Sequence, residues 1–598
     1  MMVGGSAAMQ RETLATLQQV QQQHGEAQSV VSDDFTSLAV LARGADAACY
    51  ADDAIVVSVT GYVTALGDDD EAAQGPQWLA LLWRKFGPEA LNQVDGDYAA
   101  VILDKRQQRL YAVAGPTAIY PLFIARHRQD RSAWVVGSEP KAVLQAAGLQ
   151  AEMNAAAVVQ HLFYLGTLLE PHATPYRGVE RIPAGCFASW HADATDRIEQ
   201  CAFWRPEDIE VDPGQDRTHL VRTLRAAIEE SVMRCLPATG NTALALSGGM
   251  DSSSIWAVLQ DHAARGCTRS SAVRAFSHIY PGTPSDEQVY IDENHRHWGT
   301  VGCYRDIAHE RITDSDEILL SALDFPLSGG AGYTLRLLAE DLAGGGMQTM
   351  LSGFSGDFWL NIYPPYYQAD LLRRGAVSEA LMPVWSAWRR RESSTSGMLR
   401  WAFNIFLPRG SAWRRRLRPP RLPAAMTRDY RYLMEGAEQW FSERALVHGY
   451  AKAQMLYMRE TQWRSSFIPL NIVQVLAQAG IVLRDPLGSR RLMEWALSVP
   501  PHEVAGDLEK AFMRQAMSPL LPPLVRNKDF PTFHGGDSLR NHVSMRDLGE
   551  PGTWLLCQSG LLSAAALREA SASAAGRFNV SLERFAMTEA FCRRQFGA

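Results

Sequence analysis

No stretch of this sequence approaches the roughly 18 uninterrupted apolar residues of a membrane span. The first thirty residues, MMVGGSAAMQRETLATLQQVQQQHGEAQSV, lack the apolar core of a secretory signal. There is no C-x-x-C pair. The eight cysteines (Cys49, Cys186, Cys201, Cys235, Cys267, Cys303, Cys557 and Cys592) lie far apart, which argues against a zinc ribbon or a disulfide scaffold. Scattered reduced thiols in a cytoplasmic protein are expected instead. Positive charge is not in excess either. Lys and Arg total 58 against 65 Asp and Glu, a net charge of -7, so no global attraction to nucleic acid or an anionic membrane is expected. No internal repeat is visible. What remains is 598 residues of ordinary globular composition, 46% apolar and 21% charged, long enough for several domains.

Residues 1–32 read as a Gln-rich, helical or disordered extension. Residues 33–205 carry short β-branched or aromatic runs: AIVVSVTGYVTAL (54–66), YAAVILD (98–104), RLYAVAG (109–115), PLFIA (121–125) and WVVGS (134–138). Two helical stretches, 77–87 and 139–148, interrupt them, which predicts an α+β layer structure. The acidic, proline-bearing stretch 206–218 reads as a linker. From 219 to 598 the period changes. A helix over 219–236, a strand over 242–246, a helix from Ser252 to about Ala264 and strands over 272–280 and 347–353 predict a parallel sheet with crossovers. Beyond Tyr366 the chain reads as mostly helical. Two arginine-rich patches stand out there, Arg389 to Arg391 and then Arg414, Arg415, Arg416, Arg418 and Arg421.

The stretch LALSGGMDSSS (244–254) ends a strand in two glycines and opens a helix, without the lysine of a Walker loop. Free N–H groups at a helix start, with the positive end of the helix dipole, attract an anion. Gly248 and Gly249 allow close approach of a phosphate oxygen, and Ser252, Ser253 and Ser254 offer hydroxyls. Asp251 would repel a bare phosphate, so it fits a pyrophosphate accompanied by a divalent cation. The plainer reading is a strand–helix turn with Asp251 as a cap. A second strand end, TMLSGFSGDFW (349–359), repeats the pattern with Asp357, alone readable as a helix N-cap. Two such strand ends could flank a nucleotide.

SGGMDSS resembles the pyrophosphate loop of the N-type ATP pyrophosphatases, and the whole from about Phe35 onward resembles the asparagine synthetase B family. That family includes asparagine synthetases, β-lactam synthetases and lasso-peptide cyclases. GDYAAVILD (96–104), YPLFIA (120–125), GSEPKAV (137–143), GVERIPAG (178–185), SDEQVYID (285–292), LRDPLGSRRLMEWALSVPP (483–501), KAFMRQAMSPLLPPLVRNKDF (510–530) and LERFAMTEAFCRRQF (582–596) carry the likeness. The resemblance implies a degenerate glutaminase-like αββα sandwich of the N-terminal-nucleophile type, followed by a Rossmann-like ATP-pyrophosphatase domain with helical insertions. It implies ATP and Mg²⁺, acyl-adenylate formation and release of AMP and pyrophosphate. Asp251 and Asp357 would hold Mg²⁺. Ser247, Gly248, Gly249 and Ser252 would cradle the pyrophosphate, and Ser352 and Gly353 would lie beside the adenosine. Lys528 would neutralise developing charge as a catalytic residue with Asp357, or else be a surface lysine in a polar loop.

Two departures from the family pattern matter. Glutamine-dependent members begin their mature chain with cysteine, whereas this sequence begins Met1-Met2-Val3 and its first cysteine is Cys49. An asparagine expected within GYVTAL (61–66) is also missing, so the N-terminal domain is expected not to hydrolyse glutamine. Phe354 stands where asparagine-making members have Glu and β-lactam-forming members Tyr. An amine supplied without glutaminase help must come with the substrate, which suits a macrolactam cyclase joining an Asp or Glu side chain to the N-terminus of a precursor peptide. The basic, Trp-bearing stretch 369–391 would dock that peptide or a partner leader peptidase, or would simply be a solvated helix face. A small-molecule β-lactam cyclase, an ammonia-using asparagine synthetase and an inactive nucleotide-binding partner remain as alternatives.

Overall fold

The computed structural model describes residues 2–3, 27–32 and 36–41 and, from 47 to 597, all but short stretches and the longer segments 311–322, 415–422 and 529–548. Arg390, Arg391, Arg415, Arg416, Arg418, Arg421 and most of the Gln-rich segment therefore lie outside the described residues. Among the described residues, no helix is long and apolar enough to cross a membrane.

The alternation of apolar residues builds the N-terminal layers. Ile55, Val57 and Val59 point one way from strand Ile55–Gly61 and pack on Leu79, Ala80 and Trp83 of helix Gly75–Phe86. Val56 points the other way, into the cluster that holds Ile124 and Val136 of a second sheet. Trp134 and Trp190 meet between the sheets with ring centroids 6.0 Å apart. On the far side Phe123 and Val135 pack with Val143 and Leu144 of helix Pro140–Ala146. Among the described residues both sheets have six strands and every pairing is antiparallel. The result is the αββα sandwich.

Met2–Val3 departs from the sequence reading. It forms a strand between Trp134–Gly137 and Thr36–Leu41, not part of a helical or disordered extension, and Ala27–Ser32 pairs with Thr36–Leu41. Two residues carry no periodicity, so only the neighbouring strands specify this pairing.

The C-terminal sheet has strands β1 (Thr242–Ala245), β2 (Arg274–Ile279), β3 (Cys303–Asp306), β4 (Thr349–Leu351) and β5 (Val482–Arg484) in the order β3-β2-β1-β4-β5, all parallel. Helix α1 (Arg217–Arg234) precedes β1 and α2 (Met250–Ala264) follows it. This is the Rossmann-like arrangement. The order reverses between β1 and β4, and ligands of such sheets bind beyond the carboxyl ends of the strands at that point. Later helices include Pro364–Arg373, Val377–Arg389, Thr395–Phe406 and Arg431–His448. The stretch expected to dock a peptide is thus two helices, broken at Gly375, and it exposes Met382 and Trp385. Arg389 lies over the Trp385 ring at 5.3 Å. Leu433 and Phe441 join the outer face of the N-terminal sandwich in one core, so the two units share a packed interior.

Candidate functional site

At the end of β1 the chain turns through Ser247-Gly248-Gly249 into α2. Gly248 has φ +72°, and a Cβ there would lie 3.0 Å from Cβ of Tyr290 and 3.2 Å from the carbonyl oxygen of Glu287. Only glycine suits both the left-handed conformation and the close packing of helix Gln288–Trp298. Ser252 Oγ accepts from the Ser247 N–H at 3.1 Å and lies 3.0 Å from Ser247 Oγ, so the two hydroxyls clamp the turn. The first-turn N–H groups of α2 have no carbonyl one turn earlier to bond. Asp251 belongs to that first turn, because the helix starts at Met250, two residues before the expected start.

Ser253 and Ser254 do not join the loop. Both are fully buried; Ser253 Oγ accepts from Asn294 Nδ2 at 3.0 Å, and Ser254 Oγ donates to the Met250 carbonyl at 2.8 Å. Their spacing along the helix turns them into the core.

The end of β4 comes directly against α2. A Cβ on Gly353 would lie 2.8 Å from Cβ of Asp251, and one on Gly356 would lie 2.5 Å from Asp251 Oδ1. Glycines at these positions let the second strand end close on the first acid. Ser352, buried, donates its N–H to the Arg484 carbonyl at 3.1 Å. Asp357 lies in the first turn of the short helix Gly356–Trp359 with its side chain 65% exposed, and the N-cap of that helix is Ser355. Ser247, Gly248, Gly249, Asp251, Ser252, Ser352, Gly353 and Asp357 thus all gather where the strand order reverses.

Lys510 was missed in the sequence. Its Nζ bonds Asp251 Oδ2 and lies 2.6 Å from Asp357 Oδ1, so one ammonium bridges both carboxylates. Burial by itself would lower the Lys510 pKa, but the two carboxylates outweigh it and hold the pKa above the ordinary value. A single point can therefore be reached by both acids, and a cation already occupies it. That geometry and the all-oxygen donor pair fit Mg²⁺, which takes one or two carboxylates and completes its shell with water and phosphate oxygens.

Lys528 is also buried, not on the surface. Its Nζ bonds Glu287, lies 3.5 Å from the Gly248 carbonyl oxygen and sits 4.3 Å over the Tyr290 ring. One ammonium thus meets the acid in the first turn of α2, and the other lies beside the loop itself. Lysine is scarce in this arginine-rich chain, with only Lys85, Lys105, Lys141, Lys452, Lys510 and Lys528 present. That scarcity was the available signal for Lys510, since a compact ammonium and a planar guanidinium serve different ends. Phe354, in place of an acid or phenol, follows the end of β4 and is 38% exposed.

Residues 223–569 match the family model described as asparagine synthase, more than half of the chain. The chain belongs to the asparagine synthase family. Residues 77–204 match the glutamine amidotransferase domain. Asparagine synthetase (glutamine-hydrolyzing) 3 of Bacillus subtilis (strain 168) is 20% identical over 490 residues, covering 79% of this chain and 72% of that protein. A chain of Mycobacterium tuberculosis (strain ATCC 25618 / H37Rv), whose name assigns it provisionally to the glutamine-hydrolyzing asparagine synthetases, is 29% identical over 321 residues, 52% of this chain and 46% of that one. Amidase chyE of Penicillium rubens is 23% identical over 305 residues, 49% of this chain and 44% of that protein. Membership places the chain among ATP-dependent ligases in general.

Proposed function

We propose that this asparagine synthase family member is an AMP-forming ligase that closes a macrolactam in a peptide, joining an Asp or Glu side chain to the peptide's own N-terminus. The observation that carries the reading is the convergence of two acids and two buried lysines on one glycine loop at the reversal of strand order. The loop Ser247-Gly248-Gly249 and the first turn of α2 would hold the pyrophosphate end of ATP, with Ser352 and Gly353 beside the adenosine. Asp251 and Asp357 would hold Mg²⁺, whose charge when bound offsets that of the phosphates. The substrate carboxylate oxygen attacks the α-phosphorus and pyrophosphate leaves. The amine then attacks the acyl carbon, loses a proton, and AMP departs. Lys528, fixed beside the loop, would offset negative charge as it develops.

Phe354 cannot take the proton of the amine. Its ring would instead form an apolar wall that keeps water from the adenylate. The exposed Met382 and Trp385, with Arg389 beside them, offer a surface for an extended peptide or a leader peptidase. The names of the relatives favour a second reading, asparagine formation from ammonia, against which Phe354 stands.

One experiment separates the two. With ATP, Mg²⁺ and a leaderless candidate peptide, mass spectrometry should find a ring lighter than the linear peptide by one water, and added millimolar ammonia should not compete. Holding both ends together supplies an effective molarity of up to about 10⁵–10⁸ M. Asparagine formed from aspartate and ammonia, with no ring, would replace the proposal with the second reading.

Glutamine should yield no glutamate. None of the eight cysteines lies in a described strand of the sheet that contains Met2–Val3; Cys49, Cys186 and Cys201 lie in the other sheet. Without a thiolate there, no thioester forms. Glutamate release by the purified protein, abolished when one of these cysteines is changed, would refute this.

A further inference from the structure

Segment 352–359, which carries Phe354 and Asp357, is tied to the N-terminal unit by two separate routes. In the first, the Ser355 N–H donates to Asp485 Oδ2 at 2.9 Å, and the Asp485 N–H donates to Asp97 Oδ2 at 3.0 Å. Asp485 follows β5, and Asp97 stands at the start of strand Tyr98–Asp104 in the sandwich. The same turn is pinned again by Tyr120 Oη, which donates to the Leu483 carbonyl at 2.8 Å, and by the Arg490 N–H, which donates to Asp95 Oδ1 at 2.8 Å.

The second route runs through Trp359. The Arg459 guanidinium lies 5.9 Å from the Trp359 ring and 5.1 Å from the Trp204 ring, and it donates to the Pro116 carbonyl at 2.9 Å. Arg459 opens the π-helical turn Arg459–Arg464 and is 1% exposed. Such turns depart from regular helix bonding and aim a side chain that a regular helix would place elsewhere.

Both acids of the first route are fully buried. Burial pushes Asp97 up to about 7 and Asp485 well above the usual carboxylate range. Apolar side chains would fill such an interface at lower desolvation cost. Carboxyls at these places are explained by what they accept: the backbone N–H groups of Asp485 and Ser355, which fix the turn and the loop to the sandwich.

We propose that Asp97, Asp485 and Arg459 are positioning residues, through which the N-terminal unit braces segment 352–359 over the crevice. The importance of that placement for turnover rests on the ligase reading above, but the brace itself is tested without a substrate. Hydrogen exchange on the full chain, read at peptides covering 352–360 and 242–246, is the measurement. Asp97→Ala and Arg459→Met are each expected to speed exchange at 352–360 at least tenfold and to leave 242–246 unchanged. Asp97→Asn keeps an oxygen that accepts from the Asp485 N–H, so native protection is expected. Leu79→Ala opens a cavity under helix Gly75–Phe86 without removing any hydrogen bond of either route, and is expected to leave 352–360 protected.

Unchanged exchange at 352–360 in Asp97→Ala, Arg459→Met and their double variant would overturn the brace. Equal loss of protection in Asp97→Asn or Leu79→Ala would overturn it too. Should Asp97→Ala fail to fold, Arg459→Met and Asp97→Asn still decide. Calorimetry with Mg·ATP on the same proteins separates the two readings: no binding to the native chain refutes the nucleotide site, while the exchange result alone judges the brace.

Discussion

Asp251→Asn and Asp357→Asn will each lower turnover on the order of a thousandfold while the fold persists. Each substitution keeps the shape of the side chain and removes one of the two charges that meet at a single point. The charge stabilisation a metal supplies at a phosphoryl oxygen is worth several kcal/mol, and a neutral amide is a poor ligand for a hard cation. The bridge to Lys510 adds a second consequence. With one acid neutralised, the buried ammonium retains a single carboxylate partner, so its pKa should fall toward what burial alone dictates. Titration of Mg²⁺ against a fixed concentration of ATP should show the loss as a raised metal requirement. Near-native metal dependence in both variants would assign the acids to Lys510 alone and remove them from the metal site.

Lys528→Met will lower turnover by about 10²–10³-fold, the usual cost of removing one preorganised electrostatic group from a reacting centre. Nucleotide binding should weaken much less, because the loop and the first turn of α2 stay in place. Methionine fills the space of the lysine stem but leaves Glu287 without its ammonium partner beside the loop. Lys528→Arg should not rescue, since the larger planar guanidinium does not fit the buried place that a compact ammonium fills between Glu287 and the Gly248 carbonyl. A single-turnover measurement of AMP release separates chemistry from binding. An unchanged rate with a raised requirement for ATP would make Lys528 a binding residue only.

The stretch LALSGGMDSSS contained its own instructions. An apolar strand, two glycines and a helix start are local features, and they are enough to place Ser247, Gly248, Gly249, Asp251 and Ser252 around one turn. TMLSGFSGDFW did the same for Ser352, Gly353 and Asp357, and the β-branched and aromatic runs 54–66 and 98–104 marked strands of the N-terminal layers. Other parts were settled only by long-range contact. Strands β3 and β5 are short, β3 is a polar edge and β5 ends in a buried arginine, so neither has a period to read. Met2–Val3 is a strand only because its neighbours pair with it. Lys510 meets Asp251 across 259 residues of chain, and Asp97 reaches Asp485 across 388. Local sequence encodes backbone conformation and which face is apolar. Which ammonium faces which carboxylate is decided when the packed layers bring distant segments together, because a charge pair so far apart in the chain leaves no pattern along it.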